Sequence, residues 1–238
     1  MASQAPRRFW KEVSVVEGGS GLFTVALDGR TLKTPGKRDL AVASRPLAQA
    51  VAEEWAAVDK TVDPSLMPMT QLVNTMIERI GEQRAGIIDE LMRYVDADAL
   101  CYEAAEPADL VARQQAEWGA LRGWVETRLA VLLTVTSGLM PQDQSPAVHV
   151  ALRQALEAMD APTLTAFQAV AGAVGSWCAA LGFVFGFGDA GLIFRTALLE
   201  ELFQAELWGE DWEAQDRRDA LLADLLAIER FLTLSRQG

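Results

Sequence analysis

Eight carboxylates crowd into one stretch of this chain, LLEELFQAELWGEDWEAQDRRD, which runs from Leu198 to Asp219. They are Glu200, Glu201, Glu206, Glu210, Asp211, Glu213, Asp216 and Asp219, and Phe203, Trp208 and Trp212 stand among them. Arg217 and Arg218 are its only cations. Acid–base catalysis would need two carboxyls converging on one substrate atom. Adjacent pairs such as Glu200–Glu201 and Glu53–Glu54 cannot supply that on a helix, where neighbours point about 100° apart. Within such a pair, one acid can serve a fold contact while the other faces out. Binding suits the composition better, because a tryptophan buries a large area while its N–H still wants a polar partner.

Other residue types offer less chemistry. His149 is the only histidine and sits in PAVHVALRQAL with no cysteine or second histidine nearby. Zinc needs several converging nitrogen or sulfur ligands, and no nucleophile-elbow sequence accompanies the histidine. A surface or capping role is expected for it. Cys101 and Cys178 are the only cysteines and lie far apart in the chain, so they read as two buried thiols of a reducing compartment. Gly186-Phe187-Gly188-Asp189-Ala190-Gly191 spells G-x-G-x-x-G. A dinucleotide site would need a preceding strand and a βαβ unit, whereas this neighbourhood is helical, which favours a glycine break between two helices. With 21 basic and 33 acidic residues the net charge is −12, which repels nucleic acid and anionic lipid.

The elements that must position these residues fall into two groups. KEVSVVEG, GLFTVALDG and RTLKTPG, with DLAVAS after them, have the alternation and turn punctuation of short strands, and Asp28-Gly29 predicts a tight hairpin. From Ser44 the period changes. Ser44-Arg45-Pro46 opens a helix to about Val58, with Leu47, Val51 and Trp55 on one face. MPMTQLVNTMIERI and QRAGIIDELMRYVDA predict two further helices, and ALCYEA a short strand returning to the N-terminal sheet. Beyond Pro107 the chain is helical. One long helix carries Leu110, Gln114, Trp118 and Leu121 along a stripe, and TVTSGLMPQDQSP follows as a linker. Helices are expected from about 147 to 159 and from about 162, and the last two near 191–208 and 212–235. In the first of these last two, Leu199, Leu202, Phe203 and Leu207 form an apolar stripe beside an outward Glu200–Gln204–Trp208 stripe.

Residues 161–188 contain no charge and are long enough to span a bilayer. They are rich in Gly, Ala, Ser and Thr, include Gln168, and are flanked by Asp160 and Asp189 rather than by basic residues. A fully buried helix accounts for them better.

Seven segments, in order, carry a family resemblance. They are RRFWKEV from Arg7, LDGRTLKTP from Leu27, AVAEEW ending at Trp55, MPMTQLVNT from Met67 and DADALCY ending at Tyr102. Then come Pro107, Leu110, Gln114 and Trp118, and finally LLEELFQAELWGEDWEAQD from Leu198. Together they resemble the ATP synthase F(1)-sector assembly chaperones that act on the alpha subunit, found in alphaproteobacteria and mitochondria. The resemblance implies an α+β fold, with a small N-terminal β-rich domain with one packed helix (7–68) and a larger all-helical domain (69–238, its start as late as about 104). It also implies a holdase rather than an enzyme, without cofactor or metal, which binds the free alpha subunit and shields its beta-facing surface until the hexamer forms.

The family's functionally important acid begins an EE-x-(F/Y)-Q motif and matches Glu200, with Glu201, Phe203 and Gln204 completing it. The expected partner-binding set is Glu200, Glu201, Gln204, Trp208 and Asp211, with Trp55 and Phe203 structural. Mitochondrial members often carry a third acid where this chain has Leu202, and a His-Asp pair where it has Gln215-Asp216. A short N-terminus fits a bacterial cytoplasmic member, expected as a monomer with no integral membrane segment and no nucleic-acid partner. A nucleotide-binding enzyme using residues 186–191, or a membrane-associated assembly factor using 161–188, are the rival readings.

Overall fold

The structure is a computed structural model that describes residues 7–137, 142–209 and 211–237. The fold is α+β, a small antiparallel sheet followed by a helical remainder. It divides into two compact units. One holds the residues up to Arg84 together with those from Arg230 onward, and the other is Ala85–Glu229.

In the first unit the strands are β1 (Val13–Glu17), β2 (Phe23–Leu27), β3 (Arg30–Thr31) and β4 (Ala41–Val42). β1 pairs antiparallel with β2 in the register Val13↔Leu27 to Glu17↔Phe23, and β2 also pairs with β3 and β4. The β2–β3 turn is the expected tight hairpin. Asp28 (φ +48°) and Gly29 (φ +78°) both take the left-handed conformation that matches strand twist. The strand expected through RTLKTPG shortens to two residues plus a bridge between Lys33 and Asp39.

Ser44 caps α1 (Arg45–Ala57), its hydroxyl accepting from the Leu47 N–H at 3.2 Å. The same hydroxyl donates to the carbonyl of Leu234 at 2.6 Å. Buried Leu47 and Val51 lie on α1, which packs against β1 and β2. At its end Trp55 meets buried Trp10 with ring centroids 5.2 Å apart, and the Trp55 carbonyl accepts from the Trp10 indole N–H. Glu54 spends both oxygens on the start of α2 (Pro68–Thr75), accepting from the N–H groups of Met69 and Thr70 and from the Thr70 hydroxyl. Its neighbour Glu53 faces out and pairs with Arg230. A π-turn (Met76–Ile80) leads from α2 into α3 (Gly81–Met92).

The second unit contains α4 (Ala108–Leu129), α5 (Pro146–Ala158), α6 (Ala161–Val174), α7 (Trp177–Phe185), α8 (Ala190–Ala197), α9 (Leu199–Trp208) and most of α10 (Trp212–Ser235). The uncharged stretch is two helices rather than one, because Gly175 (φ +68°) ends α6 and Ser176 caps α7. α7 is buried from Trp177 to Val184 and packs on α4, α6 and α8. A Cβ on Gly182 would come within 2.7 Å of the Leu121 side chain, so glycine sets the α4–α7 approach. Among the described residues no helix is long and apolar enough to cross a membrane.

ALCYEA does not return to the sheet. Ala99–Cys101 form a short 3-10 turn, and Tyr102 bridges in parallel to Thr136 within the second unit. Part of the expected linker is thereby ordered, with the Gln144 amide holding both Thr134 N–H and carbonyl. Its residues 138–141 lie outside the described residues.

Asp28 also generates a pH prediction. Its Oδ1 accepts from the N–H groups of Glu12 (2.9 Å) and Lys11 (3.0 Å), which hold the carboxyl below the usual aspartate range, the Glu12 bond most strongly. An acid lowered on folding stabilises the fold above its unfolded pKa, and that contribution fades as pH falls through the folded value. Asparagine keeps the acceptor and tolerates the positive φ. In thermal melts below about pH 5, Asp28→Asn is expected to lose less stability with acid than the wild type.

Candidate functional site

The acidic segment is built on two helices and the turn between them. The helix expected over 191–208 breaks at Leu198 (φ −97°, ψ 17°), which separates α8 from α9. The Trp118 indole donates to the Thr196 carbonyl at 2.7 Å, tying α4 to the last turn of α8. α9 then packs on α4 through buried Leu199 and Phe203, and the Arg113 guanidinium lies 5.1 Å over the Phe203 ring. Glu200 and Glu201 fall in the first turn of α9, where negative charge suits the helix dipole.

Leu207 departs from the expected buried stripe. It is 58% exposed, because the packing of α9 covers its first two turns and its last turn runs out to Gly209 (φ +92°). Trp208, the last residue of α9, is 79% exposed, and Trp212, the first of α10, is 71% exposed.

The acids have different employment. The Glu201 carboxylate accepts from Arg218 at 3.0 Å and Arg217 at 3.1 Å, and Arg218 is only 3% exposed. Arg218 also donates to the Gln215 side chain. Glu206 pairs with Arg113 at 2.8 Å. Asp211 caps α10, accepting from the Ala214 N–H at 3.3 Å, and Asp219 accepts from the Gln215 amide. Glu200 is exposed and accepts from the amide of buried Gln114 at 2.5 Å. Gln204 is exposed on α9, one turn from Glu200. Glu210 lies outside the described residues. Glu200, Gln204, Trp208 and Asp211 are exposed, Glu201 is half-buried and Phe203 is buried. Trp55 belongs to the other unit. The roles of Arg113, Arg217 and Arg218 were not marked by local sequence, since their partners lie one or more helices away.

Two other candidate sites resolve into structure. Asp98, Cys101 and Cys178 offer ligand atoms within 4.8 Å of one another, although the cysteines are 77 positions apart (178 − 101). All three are buried, as expected of the thiols. The Asp98 carboxylate accepts from the N–H of Leu100 (2.9 Å), the Ser176 hydroxyl (2.8 Å) and the N–H of Cys178 (2.8 Å). Burial raises the Asp98 carboxyl against those hydrogen bonds, and burial pushes the Cys178 thiol up. These enclosed donors brace the start of α7. The glycine segment is a helix break. Gly186 (φ +81°) ends α7, and the Asp189 carboxylate caps α8 by accepting from the Leu192 N–H at 2.7 Å. The described strands all lie between Val13 and Val42, so no βαβ unit surrounds it. His149 sits at the surface against Asp96, 2.9 Å from its carboxylate.

The Glu201 clamp gives a stability contrast. Glu201→Ala removes one of the partners of a buried guanidinium and is expected to cost about 1–3 kcal/mol in urea unfolding. Glu213→Ala, on the exposed face of α10, is expected to stay within about 0.5 kcal/mol of wild type. Equal effects would show that the clamp contributes nothing.

The geometry can be set beside known proteins. A family profile described as ATP12 chaperone protein matches residues 7–126 of the 238. The mitochondrial protein ATP12 of Saccharomyces cerevisiae is 26% identical over 265 residues, covering 91% of this chain and 81% of the relative. The crystal structure of Atp12 from Paracoccus denitrificans superposes with a TM-score of 0.89 at 37% identity, covering 97% of this chain and 98% of that one. A protein of Agrobacterium tumefaciens whose proposed role is that of a chaperone superposes with a TM-score of 0.89 at 34% identity, covering 96% and 85%. Similarity of this extent runs through both units, and the chain belongs to the ATP12 chaperone family.

Proposed function

We propose that this chain is an assembly chaperone of the ATP synthase F(1) sector, which binds the free alpha subunit and shields its beta-facing surface until the hexamer forms. The observation that carries the reading is the exposed apolar group at the end of α9 and the start of α10. In a member of this family, Leu207, Trp208 and Trp212 stand exposed among carboxylates. An unassembled subunit exposes a large apolar face, and such faces aggregate. A protein that covers one temporarily needs apolar anchors together with charge. Burying one exposed indole contributes roughly 3–5 kcal/mol before the costs of association. An acidic rim speeds encounter with a basic surface and keeps the complex sensitive to salt, so that release stays easy. The net charge of −12 keeps the chaperone itself soluble.

The chaperone acts by binding, with no reaction and no cofactor of its own, as a monomer in the bacterial cytoplasm. Glu200, Glu201, Gln204, Trp208 and Asp211 form the contact surface in this reading. Phe203 supports it from below, and Trp55 secures the end of α1 in the other unit.

Co-expression of the alpha subunit tests the proposal. Soluble alpha subunit is expected to rise with the wild-type chain and to fall back with Glu200→Lys. Equal amounts with wild type, variant and empty vector would sink it. Trp208→Ala is expected to weaken capture of the alpha subunit by about 2–4 kcal/mol and to leave the melting temperature unchanged, because the ring is already solvated.

A further inference from the structure

Glu200 differs from the other described acids of its segment in how it is held. Arg217 and Arg218 compensate Glu201, and Arg113 compensates Glu206. Asp211 and Asp219 spend oxygens on a helix cap and on Gln215. Glu213 and Asp216 are exposed on α10. Glu200 alone among them is tied to a buried neutral side chain. Gln114 is 0% exposed, its Oε1 accepts the Ala104 N–H at 2.8 Å, and its Nε2 donates to Glu200 at 2.5 Å. The Ala104 bond decides which end of the amide faces outward, because an N–H can only be met by the oxygen. The nitrogen is left for Glu200. A neutral amide orients a carboxylate without cancelling its charge. Among the described residues no lysine or arginine lies within ion-pair distance of Glu200. Arg113, next to Gln114 in sequence, is held over Phe203 and against Glu206.

We propose that Gln114 is a positioning residue that presents Glu200, as a fixed and uncompensated carboxylate, to a cationic side chain of the bound partner. This deepens the proposed function and rests on it. One carboxylate oxygen is committed to Gln114, and the acceptor sites that remain suit the fork of an arginine or the ammonium of a lysine. The surrounding arginines already have their acids, so the compensating charge comes from outside. Holding the side chain in advance removes the rotamer freedom that an exposed glutamate otherwise loses on binding. That is what a buried amide contributes and a solvated one would not.

Affinity of the full chain for the ATP synthase alpha subunit, at low and at high salt, tests this. Glu200→Gln is expected to bind roughly tenfold more weakly at low salt, with the difference shrinking as salt screens the pair. Glu200→Asp keeps the charge but is one methylene too short to reach both Gln114 and the partner. It is expected to lose roughly fivefold, and being exposed it leaves the core untouched. Gln114→Leu is expected to weaken binding by a similar factor and to add no further loss in combination with Glu200→Gln, since the two act through one contact. Wild-type affinity in Glu200→Asp, multiplying losses in the double variant, or an unchanged salt dependence in Glu200→Gln would each overturn the proposal. Absence of binding by the wild type sinks the chaperone reading itself, a result distinct from binding that ignores these substitutions.

Discussion

A helix with no polar face has to be covered on every side, and α7 is such a helix. From Trp177 to Val184 each residue is buried, with α4, α6 and α8 packed around it. Leucine-sized side chains are worth about 1.5–3 kcal/mol each when removed from water, so this short helix fixes the second unit by what must surround it. Its first turn would leave N–H groups without partners in an apolar interior. Ser176 and the buried Asp98 carboxylate meet them, and Asp98 also binds Leu100. The donors that carboxylate collects offset only part of the cost of burying it, and its pKa stays raised. Gly182 lets α4 come close enough to seal one side.

Once α4 lies against α7, its stripe is committed. Leu121 and Val125 are wholly buried, and the polar members of the same face each find a specific partner. Trp118 meets the Thr196 carbonyl, Arg122 meets the Leu100 carbonyl and Glu103, and Gln114 meets Ala104 and Glu200. A buried polar group without a partner costs about 1–3 kcal/mol, so these contacts also fix where α8 and α9 can sit. The position of the acidic surface therefore follows from the packing of α7, through α4, and only its last step involves the acids themselves.

Much of this was legible locally. The Asp28-Gly29 hairpin, the Ser44 cap and the glycine break at Gly186 each depend on a few adjacent residues, and each formed as the residue types predicted. Other features depend on contacts between distant segments and were misread or missed. The segment ALCYEA, expected as a strand of the N-terminal sheet, instead forms a 3-10 turn, and Tyr102 bridges to Thr136. The helix expected over 191–208 breaks at Leu198, a residue with no helix-breaking chemistry. Leu207 has the period of a buried position, yet periodicity cannot say where the neighbouring helix ends.

By itself the sequence determined an N-terminal sheet followed by helices, an uncharged stretch rich in small residues and flanked by acids that reads as buried rather than membrane-spanning, and a surface segment of acids and tryptophans. Helical period, turn chemistry and charge density are local quantities, and they suffice for that much. The tertiary structure decided what each acid does. Glu53 and Glu54 are neighbours, as are Glu200 and Glu201, and in both pairs the fold gives the two residues different partners. Charge compensation is a matter of distance in space. Arg218 reaches Glu201 from the next helix and Gln114 reaches Glu200 across 86 positions of chain, so which carboxylate a buried amide holds is decided only once the helices are packed.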